Sequence, residues 1–200
     1  MDMKAGTQTD RMTGAVSRGK TYDMAYIGVF AVLIAICSWI SIPTAIPFTL
    51  QTFAVFLAVA VLGGKRGTLS VVVYVLLGAA GVPVFAGFTG GISIILNNTG
   101  GYIIGFIFSG LVMWLIERMF GRSLLVQGIS MVLGLIVCYA FGTVWFMQLY
   151  LRNTGDVGLM TVLGWCVIPF IIPDAVKIAL ALTLSRALKK PLAGLVGEAR

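Results

Sequence analysis

Asp174 and Lys177 place a carboxylate and an ammonium three residues apart in Ile168–Lys177, a segment that is otherwise apolar and carries Pro169 and Pro173. Together the pair can accept N–H groups and donate to oxygens, which suits a small polar solute. The simpler alternative is an internal ion pair that only fixes helix packing. A charge at membrane depth costs at least ~2.5–3.5 kcal/mol, so it persists only where it is paired, solvated or used. Proline is tolerated in the first turn of a helix and not in its interior, so the pattern predicts a helix from about Pro173 to about Leu188. Asp174 then falls in the first turn, where the helix dipole favours an anion, and Lys177 lies on nearly the same face.

The remainder of the chain sets the medium for that pair. Of 200 residues, 59% are hydrophobic and 10% charged, and the mean hydropathy is +1.03. Soluble domains carry about 25% charged residues, so the composition is that of an all-α integral membrane protein. The absence of histidine excludes histidine catalysis, metal ligation and pH switching. Cys37, Cys138 and Cys166 are far apart, show no Cys-x-x-Cys spacing, and read as small hydrophobes. The sequence contains no P-loop, no Gly-x-Ser-x-Gly and no serine–histidine arrangement. Neither a catalytic residue, a metal site nor a cofactor is expected; the chain offers a binding site without an energy source.

Six apolar spans follow in order. Residues 1–23 are polar and read as a flexible cytoplasmic tail without a cleaved signal peptide. The first span, Met24–Ile40, carries Gly28, Ala31 and Ala35, small residues whose spacing lets another helix approach closely. Ser41–Gln51 is an uncharged loop with two prolines and with Thr44, Thr49 and Gln51 as polar groups. The second span runs Pro47–Leu62, Gly63–Gly67 forms a basic turn, and the third span is Thr68–Ala80. Gly81–Gly101 is glycine-rich and uncharged; irregular backbone of this kind survives at membrane depth only inside protein or along a cavity. The fourth span, Gly101–Leu115, aligns Gly101, Gly105 and Ser109 on one face for close packing. The fifth is Leu124–Tyr150, and the sixth begins near Met160, is broken by the prolines and ends at Arg186–Lys190.

Lysine and arginine set the orientation. The N-terminal tail, the 63–67 turn, the 117–122 turn and the C-terminal tail hold four, two, two and four of them, against Arg152 alone on the opposite side. This asymmetry puts both termini in the cytoplasm and makes the basic residues topology markers, so no nucleic-acid partner is expected. Residues 41–51, 81–100 and the start of the sixth helix then share the outer side, where loops 1 and 3 cap a cavity. Phe48, Phe53, Phe85, Phe88, Trp39 and Trp165 are available as its apolar walls.

Ile46–Phe53, Gly64–Gly67 and Tyr74–Phe85, with Thr99–Phe106 and Pro173–Lys177, resemble the BioY family, the biotin-binding S components of energy-coupling factor transporters. The likeness spans residues 24–190. It implies a six-helix membrane domain over 24–190, a cytoplasmic tail over 191–200, and a multi-pass protein of the bacterial plasma membrane. It implies biotin held near the outer surface by Asp174 and Lys177, with a loop amide from Asn97 or Asn98. Thr49, Gln51, Thr99, Phe48, Phe85 and Trp165 complete the expected site. The pair Asn97-Asn98 stands where Gly-Pro is more usual in the family. Which polar group meets the ureido ring and which the carboxylate stays open. The likeness also implies docking through Ala31, Ala35 and Gly28 onto a transmembrane coupling protein carried by two ABC-type ATPases. The competing readings are a stand-alone ion-coupled transporter of a small carboxylate-bearing solute, and an intramembrane enzyme or scaffold.

Overall fold

The structure, a computed structural model, describes residues 6–42 and 47–196, with side chains for 21–42 and 47–188. Helix α1 (Gly6–Trp39) leads to a two-residue strand β1 (Ser41–Ile42) paired antiparallel with β2 (Phe48–Thr49). Helices α2 (Gln51–Leu62) and α3 (Gly64–Ala79) follow, then a 3-10 turn at Ala86–Phe88 and α4 (Ile92–Ile95). Next come α5 (Gly100–Phe120), α6 (Leu124–Asn153), α7 (Leu159–Cys166) and α8 (Ile168–Val196). Among the described residues, four helical stretches are long and apolar enough to cross a membrane: Thr21–Trp39, Gly100–Phe120, Leu124–Asn153 and Ile168–Leu188. Helices α2 and α3, with 12 and 16 residues, are shorter than the ~20 a straight crossing needs.

Helix α2 is the axis of the bundle. It is apolar on all sides and buried along its whole length except at Phe53, packed among α1, α3, α5 and α8. A helix apolar all round belongs inside a structure rather than at its surface. A single residue, Gly63, turns the chain from α2 into α3; its φ of +89° is one that glycine adopts without a Cβ clash. The expected five-residue basic turn is thus one residue long, and Lys65 and Arg66 lie in the first turn of α3. Helices α5 and α6 form the closest pair. A Cβ at Gly142 would run into the Tyr102 ring, and one at Gly101 into Trp145. The expected small-residue face of α5 therefore does meet another helix, and that helix is α6.

The two basic turns meet at one end of the bundle. Arg122 donates to the carbonyls of Ala60 (3.0 Å) and Val61 (3.3 Å), the last turn of α2, while Glu117 accepts the N–H of Gly64 (2.9 Å) at the start of α3. A cation on a helix C-terminus and an anion on an N-terminus satisfy the orphan backbone groups and oppose the helix dipoles correctly. Arg66 pairs with Asp23 at 2.9 Å, tying α3 to α1 at the same end.

Loops 1 and 3 gather at the other end. Trp39 donates its indole N–H to the carbonyl of Pro83 (3.0 Å) and stacks on Phe88 at 4.9 Å between ring centroids. Ser38 donates to the carbonyl of Val84. Three expectations need correcting here. The helix expected to begin at Pro173 begins at Ile168, because Pro169 takes the first turn; Pro173 lies inside, so its missing N–H leaves the Pro169 carbonyl without a helical donor. The break in the last span falls at Val167, between α7 and α8. The polar segment expected as a flexible tail is helical from Gly6 and continuous with the first span, whose membrane-length stretch, Thr21–Trp39, agrees with the expected Met24–Ile40. Thr44 lies outside the described residues.

Candidate functional site

Helix α8 places Asp174 and Lys177 on one face, one turn apart, and turns that face inward. Lys177 Nζ donates to Asp174 Oδ1 at 2.7 Å, and the two residues are 4% and 2% exposed. The second carboxylate oxygen, Oδ2, accepts the hydroxyl of Tyr139 from α6. Each oxygen therefore holds one donor and keeps one lone pair. Lys177 Nζ also stands 4.8 Å from the centroid of the Phe48 ring, a cation–π distance, and Phe48 stacks on Phe170 at 5.2 Å. The ammonium is thus held by an anion on one side and a ring face on the other, which fixes it at the cavity wall. Two opposite charges at this depth offset each other's desolvation only when their hydrogen bonds are filled.

This network forms one wall of a cavity of about 270 Å³. Phe85, Phe106, Ile103 and Leu135 supply apolar surface, and Cys138 and Cys166 line the cavity as free thiols. Its polar points are few: Thr49, Gln51, Thr52, Thr89, Asn97, Thr99, Tyr102 and Tyr139 beside the ion pair. A mostly apolar pocket with a small number of placed polar groups is the usual form of a small-molecule site. Gln51 is itself positioned, donating from Nε2 to the hydroxyl of the wholly buried Tyr74 (2.9 Å), which leaves its Oε1 as an acceptor. Phe85 is held edge-on against Tyr74, 5.6 Å between ring centroids, and a Cβ at Gly78 would occupy its place.

Seven of the expected residues line this cavity: Asp174, Lys177, Asn97, Thr99, Thr49, Gln51 and Phe85. Phe48 reaches it through Lys177 and Phe170. Asn98 and Trp165 do not line it; they line an adjoining groove of about 690 Å³, because α7 ends just after Trp165 and turns that side chain outward. The expectations of Trp39, Phe53 and Phe88 as walls also change: Trp39 and Phe88 stack on each other, and Phe53 packs at the edge of the core. Ala31 and Ala35, expected to face a partner, are 2% and 4% exposed and belong to the interior of the bundle. Small side chains on α1 serve close packing inside the molecule, whereas a Cβ at Gly28 would meet open space. The residue that sequence reasoning missed is Tyr139, and Phe170 with it. Nothing in the span around Tyr139 separates it from the other five tyrosines; only the packing of α6 on α8 brings it to Asp174.

A helical bundle with four membrane-length apolar helices among the described residues, enclosing a solute-sized cavity with an ion pair in its wall, is a multi-pass membrane protein; in a bacterial cell its membrane is the plasma membrane. The BioY family model matches residues 8–194, and the chain belongs to the BioY family. The biotin transporter BioY of Thermotoga maritima is 42% identical over 164 residues, which cover 82% of this chain and 93% of that one. Biotin transporter BioY2 of Lactococcus lactis is 33% identical over 175 residues, covering 86% and 93%. The crystal structure of the S-component for biotin from an ECF-type ABC transporter superposes with a TM-score of 0.76 at 26% identity, covering 86% of this chain and 92% of that one.

Proposed function

We propose that the chain is the high-affinity biotin-binding subunit of an ATP-driven ECF-type importer, and that it works by binding and carrying rather than by catalysis or with a cofactor. The observation that carries this reading is the Tyr139–Asp174–Lys177 network in the wall of a solute-sized apolar cavity, in a chain whose relatives are biotin transporters.

The network suits the ureido ring better than the carboxylate of biotin. Asp174 and Lys177 together are neutral, and adding the ligand's anion beside them would leave a net charge in a dry site. The neutral ureido ring offers two N–H donors to the free lone pairs of Asp174, and its carbonyl accepts from Lys177, which has N–H groups beyond the one on Asp174. The thioether ring and acyl chain then lie against Phe85, Ile103 and Phe106, and the carboxylate comes to the mouth near Asn97, Thr99 and Thr49.

In the membrane, α1, α2, α3, α5, α6 and α8 form six crossings over residues 24–190, with the short α2 shielded by its neighbours, the short α3 presenting Leu69, Leu76 and Leu77 outward, and both chain ends in the cytoplasm. Transport draws on a transmembrane coupling protein and two ABC-type ATPases. The surface of α1 available to such a partner is the exposed stripe of Val29, Val32 and Ile36 beside the half-buried Gly28, whose Cβ position is open, with Ala31 and Ala35 supporting it from behind. The test is uptake of labelled biotin in cells with and without the ATPase subunits. Uptake abolished by their loss and indifferent to ionophore supports the importer; uptake that survives their loss and collapses with ionophore points instead to ion coupling through Asp174.

A further inference from the structure

We infer that the groove beside the site receives the far arm of a biotin whose carboxyl group is joined to an amine, so that the protein binds biotin amides as well as free biotin. This deepens the reading above and rests on it.

The two compartments adjoin: Asn97, Thr99 and Phe170 line both. The stacked rings of Phe48 and Phe170 form the partition between them, with the ion pair on the cavity side. A biotin anchored at Asp174 by its ureido ring therefore directs its acyl chain toward the shared lip. That lip is neutral. Among the described residues lining the two compartments, Lys177 is the only cation, and it is committed to Asp174 at the deep wall.

The lip holds its donors in place instead. Asn97 Oδ1 accepts the backbone N–H of Asn98 at 2.7 Å, which leaves the Asn97 amide NH₂ as a donor, and Trp145 fixes the same turn by donating to the Asn97 carbonyl at 3.1 Å. An amide carbonyl accepts from such a donor as a carboxylate oxygen does, so the site has no charged group with which to insist on a free acid. Beyond the lip, Tyr150 and Trp165 pack against each other, 5.9 Å between ring centroids, and with Gly164 form one wall of the groove, an aromatic surface for an aliphatic arm.

Gly164 provides the test. It lies in α7, where a Cβ would meet nothing within 4 Å, so a larger side chain enters the groove at no packing cost and with better helix propensity. The detergent-purified full chain and its Gly164→Leu variant are titrated with biotin and with Nε-biotinyl-lysine. The expected result is wild-type affinity for the conjugate within tenfold of that for biotin. Gly164→Leu then weakens the conjugate at least tenfold and leaves biotin within twofold. A conjugate more than tenfold weaker than biotin on the wild type, or one indifferent to Gly164→Leu, overturns the inference. Absence of biotin binding itself overturns the reading beneath it.

Discussion

The buried network lends itself to a perturbation that separates structure from binding. In Asp174→Leu, Lys177 loses the carboxylate at 2.7 Å and is left with the Phe48 ring. Removing one partner of a buried pair costs about 3–5 kcal/mol, and at roughly 2–4 °C per kcal/mol for a chain of this size the unfolding midpoint falls by about 10 °C. The triple variant Asp174→Leu, Lys177→Met, Tyr139→Phe removes every member of the network and leaves no polar orphan. Well-packed apolar replacement of a buried pair is neutral or stabilising by ~1–4 kcal/mol, so the triple variant recovers the wild-type midpoint.

Binding behaves differently. Losing two ureido hydrogen bonds to a charged acceptor, at ~1.5–3 kcal/mol each, removes about 3 kcal/mol or more, which is roughly 100-fold in affinity. Thermal unfolding in detergent and calorimetric titration with biotin read the two effects separately. The account requires a triple variant as stable as the wild type and at least 100-fold weaker for biotin. A stable triple variant with wild-type affinity would show that the ion pair only holds helices together.

Tyr139→Phe alone keeps the ring and removes one donor from Asp174; the folded protein is retained and biotin affinity falls about threefold to tenfold by titration, from a hydrogen bond worth about 1 kcal/mol. Unchanged affinity would make Tyr139 a bystander. Gly142→Leu drives a side chain into the Tyr102 ring and separates α5 from α6, so the purified yield of monodisperse protein drops sharply; overpacking of this kind typically costs ~1–3 kcal/mol or more. A monodisperse variant with a normal unfolding midpoint would contradict the close contact. On α1, Gly28→Leu leaves biotin binding intact and prevents co-purification with the coupling protein, whereas Ala31→Leu lowers the unfolding midpoint of the isolated chain. The reverse pattern would place the docking surface on the Ala31 side.

How far the sequence reveals this arrangement depends on the kind of signal. Asp174 and Lys177 stand out because an ion in an apolar span persists only where it is paired, solvated or used, and the clustering of amides, hydroxyls and glycines in loops 1 and 3 locates the mouth. Tyr139 carries no such contrast, since an amphipathic ring is at home anywhere in a membrane helix. Two prolines four residues apart, Pro169 and Pro173, leave two possible starts for α8, and only the packing of the chain decides for the first. The spacing of Ala31 and Ala35 announces a close contact but not whether the contact lies inside or outside the molecule; burial decides for the inside. Trp165 is turned away from the site by the break at Val167; Pro169 signals a break near there, but not which way the end of α7 points its side chains.

The most direct measurement is calorimetric titration of the detergent-purified chain with biotin, beside thiamine and riboflavin. The account predicts saturable one-to-one binding of biotin in the nanomolar range and no heat from the other two vitamins. A folded, monodisperse sample that binds no biotin, or binds all three alike, would contradict it.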